Sequence, residues 1–228
     1  MDWFRAVNSY CERTGPEYWS EPVNAVTNAA FLLAAWLAWR MAARARDGAG
    51  DRAGQGLALI LAAIGVGSFL FHTHARVWAM LADVVPIQVF ILVYLAVATV
   101  RFFGVPWWGG VAAAAAFVPA SAVLARGMAA VVGPLNGSVE YLPVPLLIAL
   151  YALALRRRAP EAARGLAIGA GVLVVSLFFR TVDVAVCPAF PLGTHFLWHL
   201  LNAAMLWWMI RVLVRSARPT ASLGRRAR

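Results

Sequence analysis

Seven predominantly apolar stretches, each close to the length of a membrane-crossing helix, constrain this chain more than any motif does. They run over about Pro22 to Trp39, Gly56 to His74, Val77 to Val100, Trp107 to Ala125, Val139 to Leu155, Gly165 to Val186 and His195 to Val214. A helix needs about 20 residues to cross a hydrocarbon core of ~30 Å. The pattern therefore predicts an all-α integral membrane protein, a bundle of seven transmembrane helices. The fourth stretch contains Pro119, and the fifth is short and opens with Glu140, Pro143 and Pro145. Membrane helices tolerate such residues better than soluble helices do.

Composition agrees, with 62% hydrophobic residues and a net charge of +10. One basic face would suggest nucleic acid, but all 20 basic residues are arginines scattered between the apolar runs, so no nucleic-acid partner is expected. Arg40, Arg44, Arg46, Arg52, Arg101, Arg156 to Arg158, Arg164, Arg211 and the tail arginines fall on one side of a seven-span layout. Arg5, Arg13, Arg76 and Arg126 fall on the other. The positive-inside rule then places the N-terminus outside and the C-terminus in the cytoplasm. Residues 1–20 carry Asp2, Arg5, Glu12, Arg13 and Glu17 with no apolar core, so the first span is expected to be its own insertion signal. The expected organisation is an outer segment 1–21, a bundle 22–214 and a basic cytoplasmic tail 215–228 lying on anionic headgroups.

Ionisable side chains inside hydrocarbon are costly and usually face a bundle interior or a cavity. His72, Asp83, Arg180, Asp183, His195 and His199 all lie toward the same ends of their helices in this layout. His195 and His199 are four apart and share a helix face. Such a pair can take two positions on one metal, or serve as capping or interfacial histidines. His72, with Ser68 one turn before it, would complete a three-histidine set with a fourth position open for water. A polar network holding the bundle together is the alternative. Asp83 could accept a hydrogen bond from a ligand histidine or deprotonate a metal-activated water, and Ser68 could donate to a developing oxyanion. Arg180 and Asp183 are three apart and expected to pair with each other. Asn24, Thr27, Asn28 and Asn202 read as interhelical hydrogen-bonding groups, and His74 lies off the His72 face.

In order along the chain stand Glu12 in YCER, Glu21 and Asn24 in EPVNAVTN, Ser68 and His72 in GSFLFH, Asp83 in LADVVP, Asp183 and Cys187 in VDVAVC, and His195 and His199 in HFLWH. In this order and spacing they resemble the alkaline ceramidases, over nearly the whole chain. The wider superfamily also contains the adiponectin and progestin receptors. The resemblance implies a seven-helix zinc hydrolase that cleaves the amide of ceramide. It implies zinc on His72, His195 and His199, water held and activated by Asp83, and an oxyanion stabilised by Ser68. It further implies calcium near the N-terminus, with Glu12 and Glu21 at two carboxylate positions. In that segment the chain departs from the family's pattern at Ser9, Tyr10 and Thr14. Cys11 and Cys187 both fall on the outer side, where a disulfide can persist. The resemblance implies that they pair, the alternative being two free thiols.

The expected function is hydrolysis of ceramide-like N-acyl lipids from the membrane, with a site toward the non-cytoplasmic side and no obligate protein partner. The alternatives are a receptor-like protein with a structural zinc, and a small transporter using Asp83, Arg180 and Asp183 as an ion path. A proton path should reach both faces, whereas these groups gather at one end.

Overall fold

The computed structural model describes residues 2–45 and 48–216. Arg46 and positions 217–228, where most of the basic tail falls, lie outside the described residues. Among those described, seven helical spans are long and apolar enough to cross a membrane, and there is no strand.

The first span is two helices, α1 (Pro22–Thr27) and α2 (Ala29–Ala43). The break at Asn28 follows from its neighbours, whose polar side chains bond to backbone carbonyls and compete with the helical ladder. Thr27 Oγ1 donates to the carbonyls of Val23 and Asn24, and Asn28 Nδ2 donates to that of Asn24. The next spans are α3 (Arg52–His74), α4 (Val77–Phe103) and α5 (Trp107–Val132). A 3-10 segment, Leu135–Tyr141, kinks at Asn136 and Gly137 and leads into α6 (Pro143–Leu155); α7 (Pro160–Val186) and α8 (His195–Arg215) complete the chain.

Most spans outrun the expected limits, because helical hydrogen bonding continues past the point where the apolar run ends. Thus α3 starts at Arg52, α7 at Pro160, and α5 continues to Val132. The fifth span starts at Leu135 rather than Val139, since the 3-10 segment supplies its first turns.

Consecutive spans pack side by side, and α8 returns against α2 and α3, closing the bundle. At its centre Leu57, Leu61, Ile64, Leu155, Leu166, Ile210 and Leu213 are fully buried. Lipid tails are as apolar as leucine, so close approach and buried polar bonds decide which helices associate. Gly67 supplies one such approach: a Cβ there would collide with the backbone of Ala82 and Asp83, so α3 and α4 meet where Ser68 and Asp83 sit. At the opposite end of the bundle Asp51 caps α3 by accepting from Gly54 N–H. It also takes a two-pronged bond from Arg101, at 2.7 Å for each prong.

Residues before Pro22 lie over the site end of the bundle. Ala6 bridges to Arg76 in the turn between α3 and α4, and a disulfide joins Cys11 to Cys187 beyond α7, with Cα atoms 5.6 Å apart.

Candidate metal centre

His72 comes from the last turn of α3, and His195 and His199 come from the first two turns of α8. Their ligand atoms lie within 4.8 Å of one another, and among the described residues no other group of three His, Cys, Asp or Glu meets that test. All three side chains are 1–2% exposed. His72 Nε2, His195 Nδ1 and His199 Nε2 are buried and have no hydrogen-bond partner. Leaving such a group unsatisfied costs about 1–3 kcal/mol. A cation accepting all three lone pairs removes that cost, so the residues fit a metal ion.

The far nitrogens of His199 and His72 are set to leave their lone pairs free. Thr27 Oγ1 lies 3.0 Å from His199 Nδ1. Its single proton goes to the carbonyls of α1, so toward His199 it acts as acceptor. The imidazole proton then sits on Nδ1 and Nε2 is bare. His72 Nδ1 donates to Glu21 Oε2 over 2.6 Å, with the same result. Carboxylate and hydroxyl partners of this kind orient ligand histidines and raise their basicity. Burial would raise the Glu21 carboxyl, yet the hydrogen bond from His72 and the ion pair with Arg13 outweigh it and hold it below the usual range. Tyr10 lies against His195 with ring centroids 3.6 Å apart, and burial pushes its hydroxyl pKa up.

Glu12 accepts from the N–H groups of Val23 and Asn24, at 2.7 and 2.8 Å, and so caps α1. Its carboxyl is raised by burial, which the two backbone donors oppose without cancelling. Both oxygens of Glu12 and of Glu21 are thus engaged by the chain itself.

The expected pair of Arg180 with Asp183 is overturned. Asp183 Oδ1 accepts from Thr194 and His195 N–H, and Oδ2 from Cys11 N–H. Free N–H groups at a helix start attract a carboxylate more strongly than a flexible cation on the same helix does. Gly193, at φ +64°, leaves the space that Asp183 Oδ1 occupies. Arg180 turns the other way, donating to the Asn136 carbonyl at 2.8 Å and lying 5.5–5.8 Å from the rings of Tyr10, Tyr141 and Trp198.

Two cavities share part of their lining. The first, about 690 Å³, is a polar mouth whose lining includes Asn8, Ser9, Tyr10, Arg180 and Asp83. The second, about 90 Å³, is an apolar slot reaching past Ile91, Ile148 and Met205, with Ser68 and Asp83 among its walls. Asp83, Ile87, Tyr141 and Trp198 line both. Asp83 thus stands where the more polar lining gives way to the apolar one. His74 is outside the cluster, packed on Tyr18 and Trp78.

A model of the Ceramidase family matches residues 6–220. The chain belongs to the ceramidase family. Membership implies an amidohydrolase acting on the ceramide amide bond. No curated protein matches the sequence.

Tyr10 and Arg13 are the parts of the centre that reading the sequence misses; Thr27 was expected to bond between helices and does so, to His199. Thr27 had a signal, a hydroxyl three residues after Asn24 on a span bordering α8, but its partner depends on how the helices rotate. Tyr10 and Arg13 had none, since they precede every apolar run.

Proposed function

We propose that this chain is a zinc-dependent hydrolase of ceramide-like N-acyl lipids, releasing a free fatty acid and a sphingoid or other amine. The observation that carries this reading is a cluster of three buried imidazoles with bare nitrogens, in a bundle whose polar mouth and apolar slot share Asp83 in their lining. An all-imidazole set of three with a fourth position open suits catalytic zinc. When bound on His72, His195 and His199, zinc supplies Lewis acidity toward the amide carbonyl and makes water a nucleophile near neutral pH.

The chain's own groups do the rest. The slot takes the acyl chain, which sets the amide beside Asp83, and the mouth takes the headgroup. Asp83 accepts a proton from the attacking water on a carboxylate oxygen. The water oxygen bonds to the carbonyl carbon, and the Ser68 hydroxyl donates to the carbonyl oxygen as it gains charge. Asp83 returns the proton to nitrogen as the C–N bond breaks, leaving the carboxylic acid and the amine.

The arginine distribution supports a site open to the non-cytoplasmic side, with the N-terminus outside and the C-terminus in the cytoplasm. Metal analysis of purified protein, together with fatty-acid release from a panel of N-acyl lipids, tests the proposal. Zinc near one per chain with release from long-chain amides is expected. Turnover undiminished after complete metal removal would overturn it.

A further inference from the structure

Arg13 is 7% exposed, yet its guanidinium reaches four oxygens. Nε donates to Glu21 Oε1 at 2.5 Å, Nη1 to the carbonyls of Gly15 at 3.0 Å and Glu17 at 3.4 Å, and Nη2 to the carbonyl of His72 at 2.9 Å. One carboxylate and three carbonyls around a single positive group are the oxygen types that a hard dication also takes as its shell. Here a cation fixed to the chain fills it. The oxygens come from the N-terminal loop, from the entry to α1 and from the metal-centre end of α3, so this one charge fastens all three together.

Calcium does not fit the same ground. Glu21 divides its oxygens between Arg13 and His72, and Glu12 gives both of its own to the start of α1. Ser9 and Thr14 bring no carboxylate, and Tyr10 is turned onto His195. A dication beside the guanidinium would also meet its positive charge.

We infer that Arg13 is a built-in substitute for calcium, a positioning residue that holds the N-terminal segment closed and fixes Glu21 against His72. The metal centre of this chain therefore assembles without calcium. The planar fork matters as much as the charge, because three of its nitrogens are used in different directions.

The first test needs neither variant nor turnover, so it stands apart from the hydrolase reading. Wild-type protein is titrated with calcium up to about 1 mM, the weak end for extracellular calcium modules, and heat of binding and thermal midpoint are recorded. No binding and no shift are expected; saturable binding that raises the midpoint overturns the inference. The second compares zinc affinity by chelator competition. Arg13→Ala should weaken it about 10- to 100-fold, the usual effect of disturbing a ligand's outer partner. Arg13→Lys, which keeps the charge and loses the fork, should recover part of that loss. Wild-type affinity in Arg13→Ala, or no difference between the two variants, contradicts the positioning role. Should Arg13→Ala fail to fold, Arg13→Lys against wild type still decides, with unchanged affinity counting against the inference.

Discussion

His72 Nδ1 lies 2.6 Å from Glu21 Oε2, joining the last turn of α3 to the residue that leads into the first span. This contact ties a carboxylate that precedes the first span to one histidine of the candidate metal centre. Glu21→Gln retains the shape but loses the charge facing both His72 and Arg13. Metal affinity, read by chelator competition, should fall about 10- to 100-fold, with the ligands themselves intact.

His195→Ala or His199→Ala removes one of three protein ligands and leaves an incomplete site. Metal analysis of the purified variants should show most of the zinc gone. Full occupancy in both would remove them from the ligand set.

Asp83→Asn is expected to keep zinc and abolish turnover, because the amide fills the same space and cannot take up a proton. Ser68→Ala should be milder, a loss of roughly 10² to 10³ fold, typical of one oxyanion donor. Single-turnover fatty-acid release alongside metal content separates the two. An active Asp83→Asn would return Asp83 to a structural role.

The Asp51–Arg101 pair lies at the end of the bundle away from the histidines. Asp51→Ala takes away both the α3 cap and the carboxylate that faces Arg101, so a loss of about 3–5 kcal/mol is expected, as for other broken buried pairs. Thermal unfolding should shift down markedly while zinc stoichiometry in the folded fraction stays near wild type. A combined loss of zinc would mean that the two ends are coupled.

Reduction of Cys11–Cys187 should loosen the mouth before it unfolds the bundle. Chain-entropy reasoning gives several kcal/mol for so long a loop, although measured values follow loop length poorly. Lower activity with unchanged helix content by circular dichroism is the expected outcome. Alkylation of both cysteines without reductant would show that the bond does not form in solution.

What could be read from sequence follows the physics of each residue. The spans were legible because hydrocarbon thickness fixes their length, and His195 and His199 because a four-residue step on a helix fixes a shared face. His72 and Asp83 came next, since an ionisable group in a span must turn inward. Arg180 and Asp183 misled, because three-residue spacing suggests a pair while the start of α8 offers N–H donors from a distant part of the chain. The orientation of Thr27 and the docking of Tyr10 and Arg13 depend on tertiary packing, which leaves no periodic trace. For Glu12 and Glu21 the resemblance implied calcium, whereas the partners in the structure are the start of α1 for one and the His72 imidazole for the other.

The disulfide joins positions separated by 176 residues, and the ligand set needs α3 and α8 together. Contacts between such distant parts form late, after the intervening chain has been placed. During synthesis an intermediate with six spans inserted would hold His72, Asp83 and Glu21 without α8 beside them. On the proposed ligand set, entry of the last span completes the three histidines, so a ribosome stalled before Thr194 would leave a chain that holds His72 without its two partners.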